Sequence, residues 1–149
     1  MQFGDLYLIR TRTILGSIIR FVTRSRFSHG GIVLYNGKGL EATWKGVRIV
    51  NLSKYKRLTV LTPARPLTHA EKGILHTFVK EQNGVHYDYW ALLGFLLARR
   101  LQNPKKLYCF ELMFVAYVHI GRPLGRLDRN FIDGTLIYFS NDLKVVQEG

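Results

Sequence analysis

Cysteine is all but missing: Cys109 is the only one in 149 residues, so no internal disulfide can form and no multi-cysteine metal site can be built. A long apolar run is missing too. The greasiest stretch, Ala91–Ala98, is far short of the roughly 18 residues that a membrane-spanning helix needs. Negative charge is scarce, with 10 Asp and Glu against 22 Lys and Arg, a formal net charge of +12. Such an excess implies attraction to anionic surfaces: nucleic acid, phospholipid headgroups or an acidic cell-wall polymer. The basic residues are spread over Arg10–Arg26, Lys45–Arg57 and Arg99–Lys106, which favours a charged face over a disordered tail. Repeats, low-complexity blocks and Pro/Gly/Ser linkers are absent, so a single domain spanning residues 1–149 is expected. Asp5, Arg10, Arg12 and Arg20 interrupt the N-terminal apolar stretch, and no small-residue cleavage site follows. A secretory signal is therefore not expected, and the placement expected is cytoplasmic or phage/virion-associated.

What is present reads as α+β. Leu6, Leu8 and Ile9 after the turn-forming Gly4-Asp5 pair suit a first strand. Ile14, Ile18, Ile19 and Val22 recur at helical spacing between Thr13 and Thr23. Gly30–Tyr35 is a compact β-branched run followed by Asn36-Gly37, the dipeptide that most strongly marks a tight hairpin, with a return strand over Leu40–Trp44. Val47–Val50 and Leu58–Leu61, joined by the polar Ser53–Arg57 connection, supply two more strands of a small antiparallel sheet. Thr68 followed by Glu71 is a capping box opening a helix whose apolar stripe includes Ile74, Phe78 and Leu75 and which ends near Gln82–Gly84. A third helix is expected from Tyr89 to about Leu101, stopped by Asn103-Pro104. Cys109 opens a further apolar helix that stops at Gly121, and Phe131–Phe139 reads as an edge strand.

A thiol in the first turn of a helix meets unpaired N–H groups and the positive end of the dipole, both of which favour thiolate. Cys109 precedes the apolar stripe of its helix, and Lys105 and Lys106 add positive potential. His29 ends the polar turn Ser25-Arg26-Phe27-Ser28 and leads straight into a strand, a rigid mount suited to a general base. Twelve residues on, past the Asn36-Gly37 turn, Glu41 lies on the paired strand, within reach of His29 and able to set its tautomer and orientation. His69, His76, His86 and His119 form no ligand pair with carboxylates at recognised spacing, so neither a metal nor another cofactor is expected. The aromatics Phe21, Phe27, Phe78, Trp90, Phe95, Phe114 and Tyr117 fall on apolar faces, and no nucleic-acid motif accompanies the charge. Specific nucleic-acid binding is not expected.

The segments Gly4-Asp5-Leu6, Phe27 to Val33, Leu40-Glu41-Ala42, Gly46-Val47-Arg48, Gly84 to Asp88 and Tyr108 to Leu112 together resemble the permuted NlpC-type papain-like cysteine hydrolases, the YiiX/YebB-like branch. The resemblance spans roughly residues 3 to 140 and implies a circularly permuted papain-like fold, in which the histidine-bearing sheet precedes the cysteine-bearing helix. It implies Cys109 as nucleophile, His29 as base and Glu41 as the orienting third residue. The implied substrate is an acyl compound, an amide in a peptide or peptidoglycan fragment ahead of a lipid ester. Where the family commonly has serine after the cysteine, this chain has Phe110. A bulky neighbour of the nucleophile narrows the pocket or marks lost activity, which keeps open a second reading: a catalytically idle module for binding or assembly, for instance in a virion or envelope-associated complex. The Tyr87-Asp88 pair matches a family element near the cleft, with Asp88 read as a helix cap.

Overall fold

A computed structural model describes residues 1–10, 25–43, 45–86, 107–124 and 134–149. Within them lie the strands β1 (Leu6–Ile9), β2 (His29–Val33), β3 (Lys38–Thr43), β4 (Gly46–Asn51), β5 (Leu58–Pro63) and β6 (Leu143–Gln147). The helices are α1 (His69–Gln82), α2 (Leu107–His119) and the short α3 (Gly134–Tyr138), with a 3-10 turn over Leu52–Lys54. The strands form one antiparallel sheet in the order β4-β3-β2-β1-β5-β6, an α+β arrangement in which α2 packs on β2, β3 and α1.

Local chemistry accounts for the connections. Asn36 and Gly37 both take positive φ, 57° and 67°, and Lys38 N–H closes on the Tyr35 carbonyl, the primed turn whose twist suits a hairpin. At the start of α1 the Thr68 hydroxyl accepts from Glu71 N–H while the Glu71 carboxylate accepts from Thr68 N–H, a complete capping box. At the end of α2 Gly121 has φ 74°, its N–H meets Val118 O, and Arg122 N–H reaches Tyr117 O. Both bonds of a Schellman stop are therefore made.

Side chains alternate between the two faces of the sheet. Leu6, Leu8, Ile32, Leu40, Ala42, Val47 and Leu61 join the core beneath the helices, with Leu75, Phe78, Met113 and Tyr117. Tyr7, Ile9, Val33, Leu58 and Val60 form a smaller cluster on the other face, closed by Leu52. The glycines of β2 serve one face each. A Cβ on Gly30 would lie 3.1 Å from Met113 Cε of α2, whereas one on Gly31 would lie 2.7 Å from Tyr7 Oη and would strike the Leu40 carbonyl. Asp5, read from sequence as a turn former, is 2% exposed and braces β1 to its surroundings. Its carboxylate accepts from Gln2 N–H at 2.6 Å and from the Thr62 hydroxyl at 2.6 Å.

Two expectations are corrected. Within Phe131–Phe139 the described residues form no edge strand: Gly134–Tyr138 is helical, and β6 begins at Leu143. A short apolar run suits either geometry, and here packing decides, because Gly134 lies where a Cβ would sit 2.8 Å from Phe110 and 2.9 Å from Phe27. In α1 the inward stripe is Leu75, Phe78 and Val79, whereas Ile74 is 44% exposed; the buried face is rotated by one residue. The helices expected over Thr13–Thr23 and Tyr89–Leu101, the Tyr87-Asp88 pair and residues Phe21, Trp90 and Phe95 lie outside the described residues.

Candidate active site

Cys109, His29 and Glu41 come from α2, β2 and β3. His29 is the first residue of β2, at an end of the sheet, so its ring meets groups belonging to both faces. Continuing the register Ile32↔Leu40 puts Glu41 opposite Gly31, on the same face as His29. There His29 Nε2 lies 3.1 Å from Glu41 Oε2. The Cys109 thiol acts on the same ring and raises its pKa. Cys109 is 5% exposed and Glu41 3%, while the His29 side chain at 21% is the one nearest solvent.

The electrostatics follow from this contact order. Burial pushes the His29 imidazolium toward losing its proton. Hydrogen bonds to Cys109 and Glu41, and the negative charge of both, outweigh it and raise the pKa to about 10. For Glu41 burial again opposes charge, but the bond and charge of His29, with bonds from Tyr55 and Lys54, hold the carboxyl down at about 2. The ring is thus held as imidazolium beside the Glu41 carboxylate.

Sequence reasoning missed three residues around Glu41. Tyr55 Oη donates to Oε2 at 2.6 Å, Tyr7 Oη donates to the same oxygen at 3.1 Å, and Lys54 Nζ donates to Oε1 at 3.0 Å. Burial, and then the negative charge or hydrogen bond of Glu41, push both phenols up, so both stay protonated donors. Tyr7 carried one signal in the sequence: a phenol within an apolar strand needs a partner when buried. Lys54 and Tyr55 carried none, since a polar connection ordinarily faces water.

Phe110 has a different place from the one its position suggests. Successive helical residues point about 100° apart, and the Phe110 ring lies in the core, 1% exposed, at the spot that Gly134 leaves open beside Phe27. Of the other histidines, His76 neighbours Phe3 and His119 neighbours Phe78.

This architecture has a counterpart among solved structures. The metalloprotein YiiX from Escherichia coli O157:H7, a DUF1105 protein, matches with a TM-score of 0.71 over 99% of this chain and 97% of that one, at 18% identity. The fold is YiiX-like. At that identity the likeness is one of architecture, the antiparallel sheet with its helices. No family model matches the sequence, and no curated protein matches it.

Proposed function

We propose that this YiiX-like chain is a circularly permuted papain-like cysteine hydrolase of the NlpC type, cleaving an amide in a peptide or peptidoglycan fragment. Cys109 is the nucleophile, His29 the base and Glu41 the orienting residue. The observation that carries the reading is the single imidazole of His29, with Nε2 3.1 Å from the Glu41 carboxylate and its pKa raised by the Cys109 thiol as well.

In this reading His29 takes the thiol proton and the sulfur attacks the carbonyl carbon. The tetrahedral intermediate then expels the amine, which leaves with the proton returned by His29. Water, deprotonated by the same imidazole, resolves the thioester to free acid and thiol. Cys109 is the third residue of α2, so its backbone N–H has no partner within the helix and is placed to hold the oxyanion. Phe110, seated in the core, leaves the idle-module reading without the feature that prompted it. The positive net charge draws the chain toward an acidic wall polymer or another anionic surface, and no described helix is long and apolar enough to cross a membrane.

The E. coli YiiX structure is described as that of a metalloprotein. Among the described residues no group of three or more His, Cys, Asp or Glu is arranged to hold an ion. Both oxygens of Glu41 already accept protein donors. The described residues do not fit a metal, and no step runs through one.

Iodoacetamide labelling of the folded protein near neutral pH tests the reading. Cys109 is expected to react faster than glutathione, and His29→Ala to slow it about a hundredfold. A thiol that labels only on unfolding, or one indifferent to His29→Ala, sinks the proposal. Hydrolysis of amides, lipid esters and peptidoglycan fragments, with Cys109→Ala as the blank, then assigns the acyl class.

A further inference from the structure

The Glu41 carboxylate has more donors than an orienting residue needs. Two oxygens offer about four lone-pair sites, and four donors from three elements outside β3 converge on them: His29 from β2, Tyr7 from β1, and Lys54 and Tyr55 from the chain following β4. The last two are held by a stiff piece of backbone. Asn51 Oδ1 accepts from Ser53 N–H at 3.0 Å, Tyr55 N–H closes on Leu52 O, and Leu52 is 2% exposed within the cluster that holds Tyr7. Lys54 Nζ lies 4.6 Å from the Tyr55 ring centroid, within cation–π range, so the pair acts as one unit.

We infer that Lys54 and Tyr55 are positioning residues of this site, a clamp that grips both oxygens of Glu41 so that the carboxylate can accept from His29 only through Nε2, leaving Nδ1 turned to Cys109. The inference rests on the hydrolase reading above and adds to it where the precision of the relay originates. Tyr7 backs Glu41 from the core side, and Lys54, 44% exposed, closes the solvent side. The charged or titratable groups facing Glu41 among the described residues are these three, His29, the Cys109 thiol beyond it and Arg48, its exposed register partner on β4. Loss of a clamp donor loosens the hold on the charged carboxylate, so Glu41 takes up a proton at higher pH and ceases to support the imidazolium there.

The test is the pH dependence of iodoacetamide labelling of Cys109 in the full chain, from acid to mildly alkaline pH. For Tyr55→Phe, which removes one oxygen from a half-buried ring, the acid limb is expected to move up by about one pH unit, with about a tenfold loss of rate on that limb. Lys54→Met is expected to move it the same way and Lys54→Arg to restore it. The double variant should shift by less than the sum of the two, because both side chains act on one carboxylate. Superimposable limbs, a loss equal at every pH or failure of Lys54→Arg to rescue would overturn the inference. If labelling in the parent chain is fast and depends on His29 while the limbs stay put, the clamp alone fails. If Cys109 in the parent is slow or indifferent to His29, clamp and hydrolase reading fail together.

Discussion

Glu41 and Glu71 are both carboxyls held at about 2, against an ordinary 4.5, and they reach that state by opposite routes. Glu71 does so mainly through one guanidinium: Arg122, 51 residues on in sequence, grips it through Nε and Nη2, each at 2.6 Å, and the Thr68 backbone adds a third donor. Arg122 also donates to the carbonyls of Arg65 and Pro66, so the arrangement ties α2's exit to α1's entry. Glu41 is immersed in the sheet, its burial works against its charge, and its donors stand 12 to 34 residues away in sequence. A carboxylate gripped by one guanidinium at a helix start stabilises a junction. One held in spite of burial, against an imidazole, has the perturbed setting that the proposed proton relay calls for.

The comparison breaks most readily at Glu41. Glu41→Ala leaves the Tyr7 hydroxyl buried without its acceptor and His29 without its carboxylate, an expected loss of about 3 kcal/mol in urea denaturation. A loss no greater than that of a surface substitution would make the cluster incidental. The pH dependence sharpens the contrast. The Glu41 contribution is complete above 4.5 and is lost as pH falls toward about 2, whereas that of His29, raised from 6.5 to about 10, is complete below 6.5 and lost as pH rises through 10. In Glu41→Gln the acid decline of the urea midpoint should flatten. What survives is the share of Glu71, the portion that about 1 M salt erodes.

Gly31→Ala comes next, at about 2 kcal/mol, because its methyl would press on Tyr7 and the Leu40 carbonyl. Thermal unfolding measures that loss, and slower labelling of Cys109 should accompany it. Thr68→Ala should cost least, about 1 kcal/mol for a lost helix cap, with Cys109 labelling unchanged; a change there would mean that the two regions are not separate.

The two carboxylates also divide what the sequence discloses. The Glu71 cap is legible because its partners lie three residues apart and its chemistry recurs at helix starts. The Asn36-Gly37 turn and the Gly121 stop are legible for the same reason. His29 and Glu41 could be paired across a hairpin because one dipeptide sets the register. Lys54 and Tyr55 could not be found, since their convergence on Glu41 depends on how the chain after β4 folds back over the sheet. The α3 segment was misread because its run of apolar residues has no periodicity long enough to separate helix from strand. The core seat of Phe110 was not legible either, because adjacency in sequence is not adjacency on a helix.

At Gly30-Gly31 the strand carries no side chain of its own, so its backbone lies directly between Met113 of α2 and the ring of Tyr7. A wall without padding transmits displacement. A nudge to α2 by the width of a methyl group would arrive at the phenol undamped, so distant repacking along that helix has a short mechanical route to the proton relay.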